Sequence, residues 1–493
     1  MSDLQSAPSA MGPGEPPGTS SGTSPGRVGL QGHMGTAALV FTVLAVAAPL
    51  ASVNGLGPIV IGFAGTSAPT AFLIATGVLL AFAAGLATMS RYVPNPGAFY
   101  AYVTSGLGRP AGLGGAFLAV FAYWLMTTAS YAYLGSATNQ LITGFGGPEI
   151  PWYWYQIAGW ALVGVIGYLN VELSAKVLTV VMVLEVLIVI IFDAAVAIRG
   201  GTEGSALPLP RTEVFSSGSI GIAVLFCVLC FIGFESTAIF REEAKDPEKT
   251  VPRAMYLSVL LIGVFYAVSV AFTIIAYGDQ ADSVAADNAA GMFGEALGTY
   301  VAPVFMDICA ILLVNSVFAS QIALQNMLSR YLYSLGNDGV LPRALGKAHA
   351  THRSPYRASL VVTAMVAVLA LPFMFTTDDP MALYGKMVGV GTYAITVLML
   401  LASVAVLVYF RRNPHHQASP LKTTVAPVIA ILGFSAVVYL ATTNIDLISG
   451  VTGGLAVAVV TLTFATVVAG VVLASVYRAK RPEVYRRIGR QEL

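Results

Sequence analysis

Long stretches almost free of charge recur along this chain, and they constrain its fold more than any motif does. They fall at about 36–64, 70–91, 112–140, 152–170, 176–198, 218–240, 256–278, 301–330, 357–376, 384–410, 424–442 and 451–477. Roughly 20 apolar residues carry an α-helix across a hydrocarbon core about 30 Å thick. Inside that core each backbone N–H and C=O must find a partner within the protein, which leaves helices for segments of this length. The reading is an all-α polytopic membrane protein of twelve transmembrane helices. Composition agrees: 10% of the 493 residues are Asp, Glu, Lys or Arg, against roughly 25% in soluble domains. That is too little charge to clothe a water-facing surface, so a soluble enzyme, a nucleic-acid binder and a disordered scaffold are excluded.

The charges that remain set the orientation. With the N-terminus inside, 22 of the 25 Lys and Arg fall on the inner side of twelve spans, and Arg199, Arg211 and Lys386 fall outside. Cytoplasmic loops carry the basic excess, so both termini are expected in the cytoplasm of a multi-pass plasma (inner) membrane protein. Residues 1–33 hold seven Gly, five Pro and six Ser without an apolar run. Such a segment cannot bury enough surface to fold and reads as a disordered cytoplasmic tail rather than a cleaved signal. The membrane-embedded body then runs from 34 to 478, and 479–493 form a basic cytoplasmic tail suited to lipid headgroups. Cys227, Cys230 and Cys309 lie inside apolar runs and read as small buried hydrophobes, not as a metal or disulfide set.

Two spans are interrupted. The first packs Pro49, Asn54, Gly55, Gly57 and Pro58 into its middle, and the sixth carries Gly233-Phe234-Glu235-Ser236. A broken helix at membrane depth is tolerated where protein or a water-filled cavity satisfies the freed backbone groups. The breaks lie five spans apart, the pattern of inverted repeats with a binding site at the breaks. On that pattern the repeats cover about 36–198 and 218–410, with two extra helices at about 424–477. Close packing of helices through Gly and Pro is the alternative at either break taken singly.

Three motifs go further. Gly233-Phe234-Glu235-Ser236 is followed by Arg241-Glu242-Glu243-Ala244-Lys245-Asp246-Pro247-Glu248-Lys249-Thr250-Val251-Pro252-Arg253-Ala254. Pro94-Asn95-Pro96-Gly97-Ala98-Phe99-Tyr100-Ala101-Tyr102 follows span two, and Ser329-Arg330-Tyr331-Leu332-Tyr333 runs on to Asp338-Gly339-Val340-Leu341-Pro342 after span eight. Together with the span count these resemble the amino acid–polyamine–organocation superfamily of secondary transporters. The resemblance implies a LeuT-type fold, two inverted five-helix repeats plus two helices, with substrate at the unwound parts of helices 1 and 6. It also implies a latch on the inner gate at 241–253. Relatives commonly show G-S-G-I/V-F at the first unwound turn; here the positions read Ser52-Val53-Asn54-Gly55.

The candidate substrate contacts are accordingly Ser52, Val53, Asn54, Gly55, Phe231, Ile232, Gly233, Phe234 and Glu235. No Lys or Arg sits at mid-depth, so a substrate carboxylate would bind at half-helix N-termini. Phe231 and Phe234 offer an apolar wall or an aromatic face for an amine. The acids well inside spans are Glu185, Glu235 and Asp307, with Asp193 nearer an end. A charge at mid-bilayer costs at least about 2.5–3.5 kcal/mol, so each needs a compensating role. Glu185 lies nine residues past Lys176, about 13.5 Å along a helix and close to the midplane. The resemblance puts it where several relatives carry a lysine in place of sodium; a carboxyl there can carry a proton. Glu185, Glu235, Ser316 and Ser320 are the coupling and gating candidates, with helix packing, helix capping and close serine packing as the alternatives. Asp307 and Asn315 are weaker candidates, and the Trp152–Tyr155 aromatics read as an interfacial belt.

The function expected is a permease for an amino acid or related amine. It works by alternating access, without a cofactor or metal and with a proton as coupling ion, sodium being left open. An amine or polyamine carrier, or an amino-acid antiporter, is the nearer alternative, and a membrane sensor or channel the remote one. An enzyme is not expected, since no HExxH, serine elbow or nucleotide loop occurs in a suitable context. The expected partners are the bilayer and the small-molecule substrate, with no nucleic acid and no signal of oligomeric state.

Overall fold

The computed structural model describes residues 35–93, 99–169, 175–202, 208, 210, 212–217, 219–234, 237, 244–347, 349, 355–416 and 418–489. The tail expected at 1–33, the motif residues 94–98, Glu235 and Ser236, the latch residues 241–243 and the last four residues lie outside the described set.

Every regular element among the described residues is helical. In chain order the helices used below are α1 (Thr36–Ala47), α2 (Gly57–Ala64), α3 (Ala68–Met89), α4 (Phe99–Leu107), α5 (Arg109–Gly144), α6 (Trp152–Leu169) and α7 (Ala175–Arg199). There follow α8 (Ser219–Leu229), α9 (Pro247–Tyr277), α10 (Ala281–Asp287), α11 (Met292–Tyr300) and α12 (Val304–Asn337). The last are α13 (Tyr356–Met374), α14 (Pro380–Arg412), α15 (Ala426–Thr443), α16 (Gly454–Lys480) and α17 (Pro482–Arg487). Nine helical runs among the described residues are long and apolar enough to cross a membrane. All twelve windows expected from the sequence contain helix. The first two share the run Pro49–Met89, the fourth is the aromatic-rich α6, and the sixth is α8, which stops at Leu229. Helical in its regular structure among the described residues, the chain is a polytopic membrane protein.

Its surface is built for lipid. On α9, Leu257, Leu260, Leu261, Val264 and Val268 are exposed, a stripe at helical spacing that would be costly in water and costs nothing in hydrocarbon. Polar side chains run the other way. Thr127, Thr392, Thr396, Gln321 and Gln325 are buried, and the three threonine hydroxyls each donate to the carbonyl four residues back.

Apolar side chains gain little by leaving lipid for protein, so helix association rests on close packing through small residues. The central α5 illustrates this with Gly112, Gly114, Gly115, Ala116 and Ala119, all buried. A Cβ on Gly470 of α16 would stand 2.5 Å from Leu113 O of α5, so these two backbones meet only because a side chain is absent. Directed bonds tie α5 to α13 and α12, and α6 to α13. Trp124 Nε1 donates to Met365 O at 2.8 Å, Trp160 Nε1 to Thr363 O at 2.9 Å, and Gln321 Nε2 to Thr127 O at 3.3 Å. Such bonds average about 0.6 kcal/mol in membrane proteins; they fix register while packing supplies most of the cohesion.

Candidate substrate and coupling site

The first span breaks where its sequence demands. Helix α1 stops at Ala47 because Pro49 cannot donate to a carbonyl one turn back. Ala48 turns into the left-handed region (φ 47, ψ 71), and the helix restarts at Pro49. Residues Ser52–Leu56 form one wide π-turn before α2 begins. The second break is built differently: Cys230, Phe231 and Ile232 donate three residues back, and Gly233 takes φ +113, a conformation that suits glycine.

A restarted helix presents backbone N–H groups with no carbonyl in the preceding turn. Here two of them are met by side chains from other helices. Leu50 N–H donates to Glu185 Oε2 of α7 at 3.3 Å, and Ala51 N–H donates to Ser316 Oγ of α12 at 3.4 Å. The Ser316 hydroxyl donates in turn to the same Glu185 oxygen at 2.7 Å. Glu185 is 3% exposed and Ser316 1%. A carboxylate thus sits at the positive end of a restarted helix, where a negative charge is stabilised. Three elements far apart in sequence converge on one oxygen.

The rest of the break is tied as tightly. Ser52 Oγ donates to Ala47 O at 3.0 Å, and the Tyr266 hydroxyl of α9 reaches the same carbonyl at 3.3 Å. Asn54 Nδ2 donates to the Tyr133 hydroxyl of α5 at 3.2 Å and to Ala290 O at 3.3 Å; Tyr133 donates onward to Ala51 O at 3.4 Å. Gly55 lies against the Tyr133 ring so closely that a Cβ would stand 2.8 Å from it.

Beside these bonds lies a cavity of about 80 Å³. Its wall takes Ala47, Ala48, Ala51, Ser52 and Leu56 from the first break, and Leu229 and Ile232 from the sixth-span break. Met126, Ser130 and Tyr133 of α5, Val317, Ser320 and Leu324 of α12, and Tyr384 and Val388 of α14 complete most of it. No charged side chain lines it among the described residues. A larger, wetter cavity of about 480 Å³ lies against Ile59, Phe63, Asp287, Asp378, Asp379 and Lys386. Asp379 is engaged in capping α14, accepting from Met381 and Ala382 N–H at 2.9 Å.

Of the residues singled out from the sequence, Ser52, Ile232 and Ser320 line the smaller cavity, and Ser320 Oγ also donates to Val317 O at 2.8 Å. Val53, Asn54 and Gly55 are buried at the first break, and Gly233 shapes the second. Phe231 and Phe234 are fully buried, but neither lines the cavity; Phe234 meets Phe82 edge-on at 6.0 Å. Glu235 lies outside the described residues. Asp307 and Asn315 are exposed, and Asn315 Nδ2 donates to Ile311 O at 2.8 Å. Tyr133, Tyr384, Met126 and Ser130 escaped the sequence reading, since single polar or bulky residues in an apolar run carry no distinguishing pattern.

Comparison with known proteins places the chain among membrane permeases. The chain is 26% identical over 398 residues to the branched-chain amino acid permease BcaP of Lactococcus lactis, covering 77% of this chain and 82% of that one. It is 27% identical over 249 residues to the BcaP of Bacillus subtilis, half of each chain. It is 24% identical over 380 residues to the low-affinity putrescine importer PlaP of Escherichia coli K12, covering 76% and 81%. The amino acid permease family profile matches residues 32–475. The chain therefore belongs to the amino acid permease family, within the amino acid–polyamine–organocation superfamily, and is a membrane transport protein rather than an enzyme.

Proposed function

We propose that the protein is a proton-coupled permease for an aliphatic amino acid of the branched-chain kind. The observation that carries this reading is the cavity at the two helix breaks, where Leu, Ile, Val and Met side chains with a few Ser and Tyr hydroxyls form the wall and no charged side chain lines it among the described residues. Such a wall suits an aliphatic side chain and leaves the distal ammonium of a diamine unpaired. Similarity to two branched-chain permeases supports it.

In this reading the chain crosses the inner membrane twelve times with both ends in the cytoplasm, as five plus five inverted helices and two more. Glu185 is the coupling group. Ionised, it holds the restarted helix through Leu50 N–H and Ser316; protonated, it gives up its charge at the helix end and loosens that hold. Helix α1, hinged at Ala48, is then freer to swing and open the site to one side. A putrescine-type substrate is the second reading, favoured by the PlaP likeness and by Asp287 and Asp378 in the outer cavity.

A thermal-shift titration of the purified protein separates the two. A ligand bound by the folded state stabilises it by about 2.7 kcal/mol at a hundred times its Kd. Leucine, isoleucine and valine are expected to raise the melting temperature, and putrescine to leave it unchanged. A shift with putrescine alone overturns the substrate assignment.

A further inference from the structure

One buried acid takes no part in the site above. Asp193 lies on α7 eight residues beyond Glu185, about 12 Å along the helix, toward the end that the basic residues place outside. It is 8% exposed. Its Oδ2 stands 3.1 Å from Ser269 Oγ on α9, while Oδ1 has no hydrogen-bond partner. Ser269 Oγ is also 2.9 Å from Phe265 O, and Ser269 O accepts from Thr273 Oγ1 at 2.9 Å.

The count of hydrogens is informative. The Ser269 hydroxyl has one proton and two acceptors within reach, Phe265 O and Asp193 Oδ2. Given to Phe265 O, it leaves the Ser269 oxygen free to accept from a protonated Asp193; given to Asp193, it serves the carboxylate. The pair fits both protonation states. Glu185 differs, because Leu50 N–H and the Ser316 hydroxyl both donate to one of its oxygens, an arrangement that suits the anion.

The elements packed against α7 are α1, the Pro49–Ala51 turn, α9, α11 and α12. Their titratable groups are Glu248, Lys249, Arg253, Tyr256, Tyr266 and Tyr277 on α9, and Glu295 and Tyr300 on α11. On α12 they are Asp307, Cys309, Arg330, Tyr331 and Tyr333; Arg199 ends α7 itself and donates to Thr299 O at 3.4 Å. None forms a hydrogen bond or ion pair with Asp193 among the described residues. Between the two acids, Tyr266 stands one turn before Ser269 on α9, and its hydroxyl shares Ala47 O with Ser52.

We propose that Asp193 is the outer proton-loading residue of this transporter, taking a proton from the outside and passing it to Glu185. The Asp193 carboxylate binds the proton, the proton crosses by way of water along the Ser269, Tyr266 and Ser52 hydroxyls, and Glu185 becomes neutral as Asp193 returns to its anion. This rests on the proton-coupled reading of the site.

The test is leucine uptake into proteoliposomes at external pH 5.5 to 8, with leucine counterflow as the measure of folding and substrate binding. Asp193→Asn is expected to slow proton-driven uptake about tenfold or more and to flatten its pH profile, while counterflow stays at the wild-type rate. Ser269→Ala is expected to shift the midpoint of the profile, and it decides the matter if Asp193→Asn does not fold. A wild-type profile in Asp193→Asn, or in Ser269→Ala where it stands alone, overturns the proposal and leaves the coupling role of Glu185 intact. Uptake by the wild-type protein that ignores pH overturns both.

Discussion

At the scale of single residues, the instructive feature is how the first break satisfies itself. Glu185 and Ser316 stand out in the sequence separately, one as a rare acid at mid-depth and the other as a serine on span eight. Their bond at 2.7 Å, with Leu50 N–H on the same oxygen, makes them parts of one cap on a restarted helix. Tyr133 plays the matching part on the other side, linking Asn54 to Ala51 O. Tyr133→Phe keeps the ring, which packs against Tyr384 with centroids 4.9 Å apart and planes tilted by 32°, and removes the hydroxyl. Breaking a buried neutral hydrogen bond costs about 1–2 kcal/mol, so leucine KM is expected to rise about 5- to 30-fold with turnover little changed. An unchanged KM in uptake assays contradicts the placement of Tyr133 at the site.

At the scale of elements, much of the break was legible and its hinge was not. Pro49, Gly55, Gly57 and Pro58 announce an interruption, and the residue that turns is Ala48, whose place before Pro49 disfavours the helical region without calling for the left-handed one. Pro49 removes a backbone donor and leaves its neighbour to take the strained angle. The α5 side of the cavity was illegible for another reason: that helix is apolar on nearly every side, so no stripe marks which face lines the cavity.

The motifs behave differently again. Tyr100 from the second and Asp338 from the third meet at one corner, 3.5 Å apart, where the C-terminal segment also docks. There Gly489 N–H donates to Asp338 at 3.1 Å, Val484 and Ile488 are buried, and Arg109 stacks over Tyr485 at 5.3 Å. Burial pushes the Asp338 carboxyl up to about 6, against the opposing pull of Gly489 N–H, the Tyr100 hydroxyl and Arg487. The folded chain therefore holds a proton that the unfolded chain has lost between about pH 4 and 6. Stability from this group is present at low pH and is lost as pH rises through that window. Asp338→Asn keeps the acceptor and cannot titrate. The melting temperature of wild type relative to Asp338→Asn is expected to fall from pH 4 to pH 7, and a difference independent of pH contradicts the assignment.

At the scale of the whole molecule, the scarcity of charge has two meanings. Across the lipid-facing stripes it is the condition for living in a bilayer. At depth it makes each remaining acid conspicuous, because a charge there costs at least about 2.5–3.5 kcal/mol unless neighbours compensate. Membership of the amino acid permease family makes the chain a transport protein, and the bonds around Glu185 support the coupling role proposed for it. The central claim is that protonation of Glu185 drives substrate accumulation. The direct measurement is radiolabelled leucine uptake into proteoliposomes under an imposed inward proton gradient, comparing wild type with Glu185→Gln. The wild-type protein is expected to accumulate leucine above equilibrium until a protonophore collapses the gradient, and Glu185→Gln only to equilibrate it. Accumulation that survives in Glu185→Gln, or wild-type uptake indifferent to the gradient, contradicts the account.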